Sequence, residues 1–518
     1  MLSTFIYRTG QLLILGILFF ATGCKGPGKP AQAQIQPGGD GTSLVSENGS
    51  KTFELTDYFN GYNAQMLRGP SWQASGFVEQ VKGLYPGLIR YPGGTVSSYW
   101  DWKTGWFLKD IPLRKEWKSV TIENPIKLED LKFACDKTGA RPLFVLNMMT
   151  STLNYQIEML EHASKIGLPV QFVELDNEFY LGDEFYIKKY PTGKEYGEVC
   201  NEWIAAIKQK FKGVKVGIIG NSIREGAAKK EKPHAQRGQN WNRDLLAVVK
   251  NADAMTFHVY GGGGMNYLGN FSATDDEETA AKANAVQQAF DRKESIQYAL
   301  SIPFIRWNNS NTYDYKILPS GMKAWITEYN LFEREGVVAG TWAHGLYALM
   351  QSLLFMENQD SELICYHNLT TTAQFAAIFN SDNAFYKAVK QKPTPLFGYT
   401  AAGHCLALSG KAMDGGGKAT QLKFTNNEMI SAARGQQYPS LYGWKITGAK
   451  GTRIIVANLS AKAVTTDFKA VAGATVRYTQ IHAEPHLQIA EEKEVNRKSG
   501  TGQLISLPPY SVTLIEGD

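Results

Sequence analysis

The stretch VQFVELDNEFY, Val170–Tyr180, begins as an apolar run and ends in Asp176, Asn177 and Glu178. A run this short and this apolar predicts a strand buried on both faces, and polar groups gathered where it stops predict a site. Seven other segments repeat the pattern: TFELTDYFNGYN from Thr52, GLIRYPGG from Gly87, RPLFVLNM from Arg141, VKVGIIGN from Val214, ADAMTFHVY from Ala252, KAWITEYN from Lys323 and ELICYHNL from Glu362. Helix-period stretches such as IKLEDLKFACDKTG and GKEYGEVCNEWIAAIKQKF lie between them. Eight apolar strands alternating with helices predict a parallel sheet covered by helices, and the count and length predict a closed (β/α)8 barrel, the TIM-barrel architecture of the α/β class.

Polar residues stand at the downstream end of nearly every strand: Asn63, Arg90, Asn147, Asn177 with Glu178, Asn221, His258 with Tyr260, Glu328, and His367 with Asn368. Barrels of this kind build their active sites at the C-terminal ends of the strands, so the bias predicts a functional barrel. The segment from Gly261 to Gly321 reads as a long insertion after the sixth strand, with a helix and then an aromatic loop, FIRWNNSNTYDY. YGGGGMN, at Tyr260–Asn266, lacks the Lys-Ser/Thr of a phosphate-binding loop and reads as a flexible loop over the pocket. From about Ala419 the pattern changes to short alternating strands with Gly and Pro turns, TRIIVANLS, ATVRYTQI and GQLISLPPYSVTLIEG, which predict a C-terminal β-sandwich. The expected division is a barrel over 52–412 and a sandwich over 413–518, with residues just after the tether, including SLVSENGSKTFEL (Ser43–Leu55), lending the sandwich a strand.

At the N-terminus, Arg8 precedes the twelve-residue apolar run LLILGILFFATG and then Cys24. Twelve residues are too few to cross a bilayer as a helix, which needs about 20, so residues 1–24 read as a signal peptide. The small residues before Cys24 resemble a bacterial lipobox, in which that cysteine is lipidated. Residues 25–51 are rich in Gly, Pro and Gln and suit a flexible tether. The expected location is outside the cytoplasm, lipid-anchored to a bacterial membrane at the periplasm or cell surface. Cys135, Cys200, Cys365 and Cys405 have no CxxC spacing and read as buried thiols. With 54 basic and 49 acidic residues and no long basic run, nucleic acid is not an expected partner. The 25 Tyr, 25 Phe and 11 Trp suit stacking against sugar rings as well as core filling.

Glu178 and Glu328 end the fourth and seventh strands, which lie nearly opposite on an eight-stranded barrel. Glycoside hydrolysis needs such a pair of carboxyls, one to protonate the leaving oxygen and one to attack or stabilise the anomeric carbon. The Asn-Glu pair ending strand four, a second Glu ending strand seven, and RYPGGTVSSYWDW (Arg90–Trp102) together resemble the retaining glycoside hydrolases of clan A. Within the clan they are similar to the family 51 α-L-arabinofuranosidases and the family 79 β-glucuronidases and heparanases. The resemblance implies that Glu178 is the general acid/base and Glu328 the nucleophile. It also implies that Asn177 binds the hydroxyl beside the anomeric carbon, that Arg90 holds Glu328 ionised, and that Tyr260 donates to Glu328, with His258 and His367 in or near the pocket. No cofactor is expected, and the eight His show no HxH or HExxH spacing for a metal-dependent hydrolase; the expected partners are a carbohydrate and, through the lipid anchor, a membrane. An arabinofuranosidase, a β-glucuronidase-like enzyme and an endo-acting enzyme of the clan all remain open, as does a glycan-binding lipoprotein with a silent barrel.

Two features depart from the resemblance. Asp176 stands where the related families usually have Gly, and His367-Asn368 stands where many have an aromatic platform. On an extended strand Glu174, Asp176 and Glu178 would share a face, so Glu174 or Asp176 is expected to raise the proton affinity of Glu178.

Overall fold

The computed structural model describes residues 41–64, 69–114, 117–118, 125–222, 235–261, 293–331, 338–370, 376–380, 396–473, 476–489 and 491–517. The signal peptide, Cys24 and most of the tether lie outside the described residues, as do residues 262–266 of the glycine-rich loop. Eight parallel strands close into a barrel: β1 Asn60–Asn63, β2 Leu88–Tyr91, β3 Arg141–Val145, β4 Phe172–Glu174, β5 Lys215–Ile219, β6 Ala254–Gly261, β7 Lys323–Leu331 and β8 Ser361–His367. Closure comes where β8 meets β1, with Ile364 opposite Asn60 and His367 opposite Asn63. β1 is the least apolar of the eight, and Gly61 explains how it fits. A Cβ there would come within 2.9 Å of Cys365 Sγ and of the Ile364 carbonyl, so only glycine lets the two strands meet. Below the polar ends, Leu88, Leu143, Phe172, Ala254, Trp325 and Leu363 fill the interior as one apolar cluster.

The helices that cover the barrel are written into local sequence. In Gly193–Lys210 the hydroxyl of Thr192 accepts from the Lys194 N–H, and Glu195 accepts from the Thr192 N–H, so two otherwise orphaned donors are satisfied. Its buried side chains Tyr196, Cys200, Trp203, Ile204 and Ile207 recur at helical spacing and form one stripe against the barrel. Leu128–Thr138 stops at Gly139, which adopts φ 81°, the left-handed cap that glycine accepts without strain. Trp342–Phe355 is buried over its whole length, and Trp342 Nε1 donates to the Tyr510 carbonyl of the C-terminal sheet, so this helix is core to both halves. No helix among the described residues is long and apolar enough to cross a membrane.

Two sheets pack beside the barrel. One has four strands in the order Lys423–Phe424, Ser43–Ser46, Val464–Asp467, Leu504–Leu507. The other has seven, running Thr52–Leu55, Gly417–Gln421, Leu441–Gly448, Gly451–Asn458, Ser511–Glu516, Arg477–His482, Asn496–Thr501. Val45, Phe424, Ile454, Val456, Ile505 and Ile515 make a separate core between them.

Two expectations are corrected here. The run from Thr52 is two strands, and its first half belongs to the seven-stranded sheet, not to the barrel, so a barrel boundary at 52 is too early. Thr52–Leu55 alternates exposed and buried positions, the period-2 pattern of a strand with one wet face, whereas Asn60–Asn63 is buried throughout. FIRWNNSNTYDY is helical and not a loop: Phe304–Asn309 ends the helix Lys293–Asn309, and a π turn, Ser310–Asp314, and a 3-10 turn follow. Its aromatics are committed to packing, with Phe304 stacked on Tyr438 at 5.8 Å and Trp307 edge-on to Tyr315 at 5.8 Å. The four cysteines at 135, 200, 365 and 405 are buried and unpaired.

Candidate active site

Parallel register places the strand-end side chains in one layer. Asn63 lies opposite Arg90, His367 opposite Asn63, and His258 opposite Glu328. Arg90 is wholly buried and uses all three of its nitrogen positions. Nη1 donates to Glu328 Oε1 at 2.8 Å, Nη2 to Asn177 Oδ1 at 2.9 Å and Nε to Glu174 Oε2 at 2.6 Å. Glu328 also accepts from the Asn63 amide at 3.2 Å and from the Tyr260 hydroxyl. Glu178 accepts from His258 Nδ1 at 2.8 Å and from the Tyr180 hydroxyl at 3.1 Å. Asn177, Glu178, Glu328, Arg90, Tyr260, His258 and His367 therefore stand in one connected set, while Cys24 lies outside the described residues.

The two carboxyls sit in different electrostatic surroundings. Burial works against ionisation of Glu328, but the charges of His258, His367 and Arg90 and the Tyr260 hydroxyl override it and pull the carboxyl down to about 2. The contribution of His367 lapses near neutral pH, because burial lowers its own proton affinity and the Asn63 amide approaches its Nδ1 at 2.8 Å. The permanent charge on Arg90 does not lapse. For His258 burial disfavours the cation, yet the flanking Glu328 and Glu178 carboxylates raise its proton affinity above the ordinary value. Oxygens of Glu178 and Glu328 and a ring nitrogen of His258 lie within 4.8 Å of one another. That spacing would admit a cation, but both Glu328 oxygens already bear donors and a guanidinium supplies the counter-charge, so this set does not fit a metal centre.

Glu174, Asp176 and Glu178 do not share a face. β4 ends at Glu174, and the backbone then takes left-handed values at Asp176 (φ 70°) and Glu178 (φ 51°), which breaks the strand alternation. Glu174 points into the barrel, and its second oxygen accepts from Thr327 Oγ1 at 2.9 Å. Asp176 turns away, and its carboxylate accepts from Ser98 Oγ at 2.5 Å and from the N–H groups of Met148, Met149 and Asn177 at 2.6, 2.9 and 2.8 Å. Burial raises the Asp176 carboxyl to about 7 against those four donors. Asp176 thus ties together the loops after β2, β3 and β4. Asp176→Ala would leave the donors buried without an acceptor and is expected to destabilise the protein by about 3 kcal/mol, read as a shift of the urea midpoint. A shift within error would show that the loops are held by other contacts.

Sequence reasoning named Asn63 among the strand-end polar residues but gave it no role, and it passed over Thr327 and Tyr180, which needed the three-dimensional contacts. On the opposite face of the barrel a cavity of about 570 Å³ is lined by Lys215, Asp253, Lys323 and Glu362, among others. Its charges are matched, Lys215 with Glu362 and Lys323 with Asp360 at 3.0 Å, and it is remote from the two carboxyls.

No family model matches the chain. Against solved structures, the GH51 α-L-arabinofuranosidase from Thermotoga petrophila superposes with a TM-score of 0.61 at 17% identity, covering 92% of this chain and 100% of that one. The GH51 arabinofuranosidase from Xanthomonas axonopodis pv. citri gives 0.62 at 13% identity, covering 92% and 99%. The chain has the fold of the GH51 α-L-arabinofuranosidases. Among curated proteins, an intracellular exo-α-(1→5)-L-arabinofuranosidase of Acetivibrio thermocellus is 24% identical over 263 residues, 46% of this chain and 50% of that protein. The chain therefore spans about half the length of the curated relative it matches.

Proposed function

We propose that the protein is a retaining glycoside hydrolase that releases α-L-arabinofuranosyl residues from polysaccharide or oligosaccharide. The observation that carries the reading is the pair Glu178 and Glu328 at the ends of the fourth and seventh barrel strands, with one carboxyl oxygen of each within 4.8 Å of the other. Double displacement needs carboxyls about 5–5.5 Å apart, whereas inversion needs about 6.5–9.5 Å to admit a water between them. The GH51 fold and the partial likeness to an exo-α-(1→5)-L-arabinofuranosidase support the sugar.

In the first step a Glu328 oxygen bonds to the anomeric carbon. The bond from that carbon to the leaving oxygen breaks, its electron pair stays on the oxygen, and Glu178 supplies the proton. In the second step Glu178, now a carboxylate, takes a proton from water as the water oxygen bonds to the anomeric carbon, and Glu328 leaves with its electron pair restored. The donors His258 and Tyr180 on Glu178 suit its ionised state between the steps. Arg90, Asn63 and Tyr260 hold Glu328 in line, and Asn177, with its carbonyl occupied by Arg90, has its amide N–H groups in long 3.5 Å contacts with Thr95 and Glu178 that a sugar hydroxyl can replace.

The test is a panel of aryl glycosides: α-L-arabinofuranoside, β-D-glucuronide, β-D-xyloside, β-D-galactoside and β-D-glucoside, with the first-formed anomer followed by NMR. Hydrolysis of the arabinofuranoside with retention is expected. Turnover of the glucuronide alone would move the protein to another activity of the clan. Inversion would overturn the mechanism. Glycan binding without cleavage of any substrate would make this a silent barrel.

A further inference from the structure

Arg90 carries one positive charge and contacts two carboxylates, Glu328 at 2.8 Å and Glu174 at 2.6 Å, with Arg90 and Glu174 both fully buried. If Arg90 served only to hold a nucleophile, one carboxylate would suffice, and burying a second charge is costly. Glu174 is not in a position to react: one oxygen is on Arg90 Nε and the other accepts from Thr327, the residue before Glu328.

The chemistry proposed above gives the second carboxylate a purpose, and the inference rests on that reading. When Glu328 bonds to the sugar it becomes a neutral ester. Arg90, with no route to solvent, would then be an isolated buried cation, at a cost of several kcal/mol. It would also stand close to the positive charge that grows on the sugar ring in both transition states. We propose that Glu174 is a positioning residue that keeps Arg90 neutralised throughout the catalytic cycle, so that the guanidinium aims Glu328 and Asn177 without penalising the covalent intermediate. The Nε contact also sets the plane of the guanidinium, because it fixes which edge faces Glu328 and Asn177. Sharing has a second consequence: Arg90 grips Glu328 less tightly than it would in an exclusive pair, which leaves the attacking oxygen more available.

The charged and titratable groups that face Glu328 are Arg90 from β2, His258 and Tyr260 from β6, Cys365 and His367 from β8 and Glu178 after β4. Glu174→Gln alters none of them and removes only the competing charge. In the full chain kcat is expected to fall roughly 100-fold with KM nearly unchanged, as for loss of a preorganised electrostatic contact. The acid limb of kcat/KM, and the carboxyl 13C NMR titration of Glu328, are expected to move to lower pH, the direction set by a fuller Arg90 charge. Glu174→Asp retains the charge and is expected to leave that limb and titration where the wild type has them, even if kcat drops. A Glu174→Gln variant whose Glu328 titration and acid limb stay in place would overturn the proposal and reduce Glu174 to a structural brace, as would equal shifts in both variants. If Glu174→Gln does not fold, the proposal stands or falls on Glu174→Asp, in which a displaced Glu328 titration would overturn it. If the wild type cleaves no glycoside, the functional reading fails by itself, and the NMR titrations still decide whether Glu174 divides the charge of Arg90.

Discussion

Glu328→Ala is expected to lower kcat on the hydrolysed aryl glycoside by about five orders of magnitude, the scale seen when a covalent nucleophile is removed. Among the described residues no other carboxyl is placed to replace it. Glu178 is the proposed proton donor, and Glu174 has both oxygens committed to Arg90 and Thr327. The variant should still fold, because Arg90 keeps Glu174 as its counter-charge and the small space left beside Tyr260 and Asn63 is polar enough for water. A matched urea midpoint would separate lost chemistry from lost structure. Added azide can enter that space and attack the anomeric carbon directly, giving a glycosyl azide of inverted configuration. In Glu178→Ala the covalent step with an activated leaving group survives, and azide then attacks the glycosyl-enzyme to give the retained anomer. Loss in that variant should be about 100- to 10,000-fold and steeper for poor leaving groups, the range for a missing acid/base. If Glu328→Ala kept more than a hundredth of wild-type kcat, or if the two azide products carried the same configuration, the assignment of roles would fail.

The contrast between these two glutamates was partly readable in the chain. Continuous apolar runs cannot be half-wet strands, so seven barrel strands announced themselves; the first did not, since Asn60-Gly61-Tyr62-Asn63 is buried without being apolar. TFEL beside it looked apolar enough to begin the barrel, and only its alternation, wet on one side, assigns it to the other sheet. Polar residues at strand ends pointed to the ring that register then assembles, because parallel strands in a closed barrel leave those positions nowhere to face but the mouth or the interior. The turn after Glu174 was illegible. Period-2 reasoning put Glu174, Asp176 and Glu178 on one face, but left-handed backbone at two non-glycine positions sends each carboxylate in its own direction: to Arg90, to the neighbouring loops and to the pocket. Residue type could not foretell this, since Asp and Glu carry no requirement for positive φ; four hydrogen bonds on Asp176 hold it there.

Arg90→Met is expected to destabilise the protein by about 3–5 kcal/mol, the usual result of leaving a buried charge without its partner. Methionine fills much of the volume, so lost packing is a minor part; the cost lies in Glu174 and Glu328, two buried carboxylates then facing each other with no cation between them. The pH dependence follows from the same charges. In the wild type the Glu328 carboxyl is held down at about 2, below its ordinary value of 4.5, so its ionised form contributes stability that is fully present above about pH 4.5 and is lost as pH falls toward 2. Without Arg90, burial of Glu328 is opposed by His258, Tyr260 and the Asn63 amide but no longer by a permanent charge, and its carboxyl moves up. A carboxyl raised above its unfolded value favours the folded state at low pH and loses that contribution as pH rises. The stability gap between wild type and Arg90→Met should therefore be widest near pH 7 and narrow toward pH 4.5, measured by urea unfolding at both. A gap equal at the two values would mean that shape, not charge, accounts for the loss. Arg90→Lys should recover part of the stability but little of the activity, because one ammonium can neutralise a carboxylate yet cannot hold Glu174, Glu328 and Asn177 in the fixed directions that the guanidinium fork imposes.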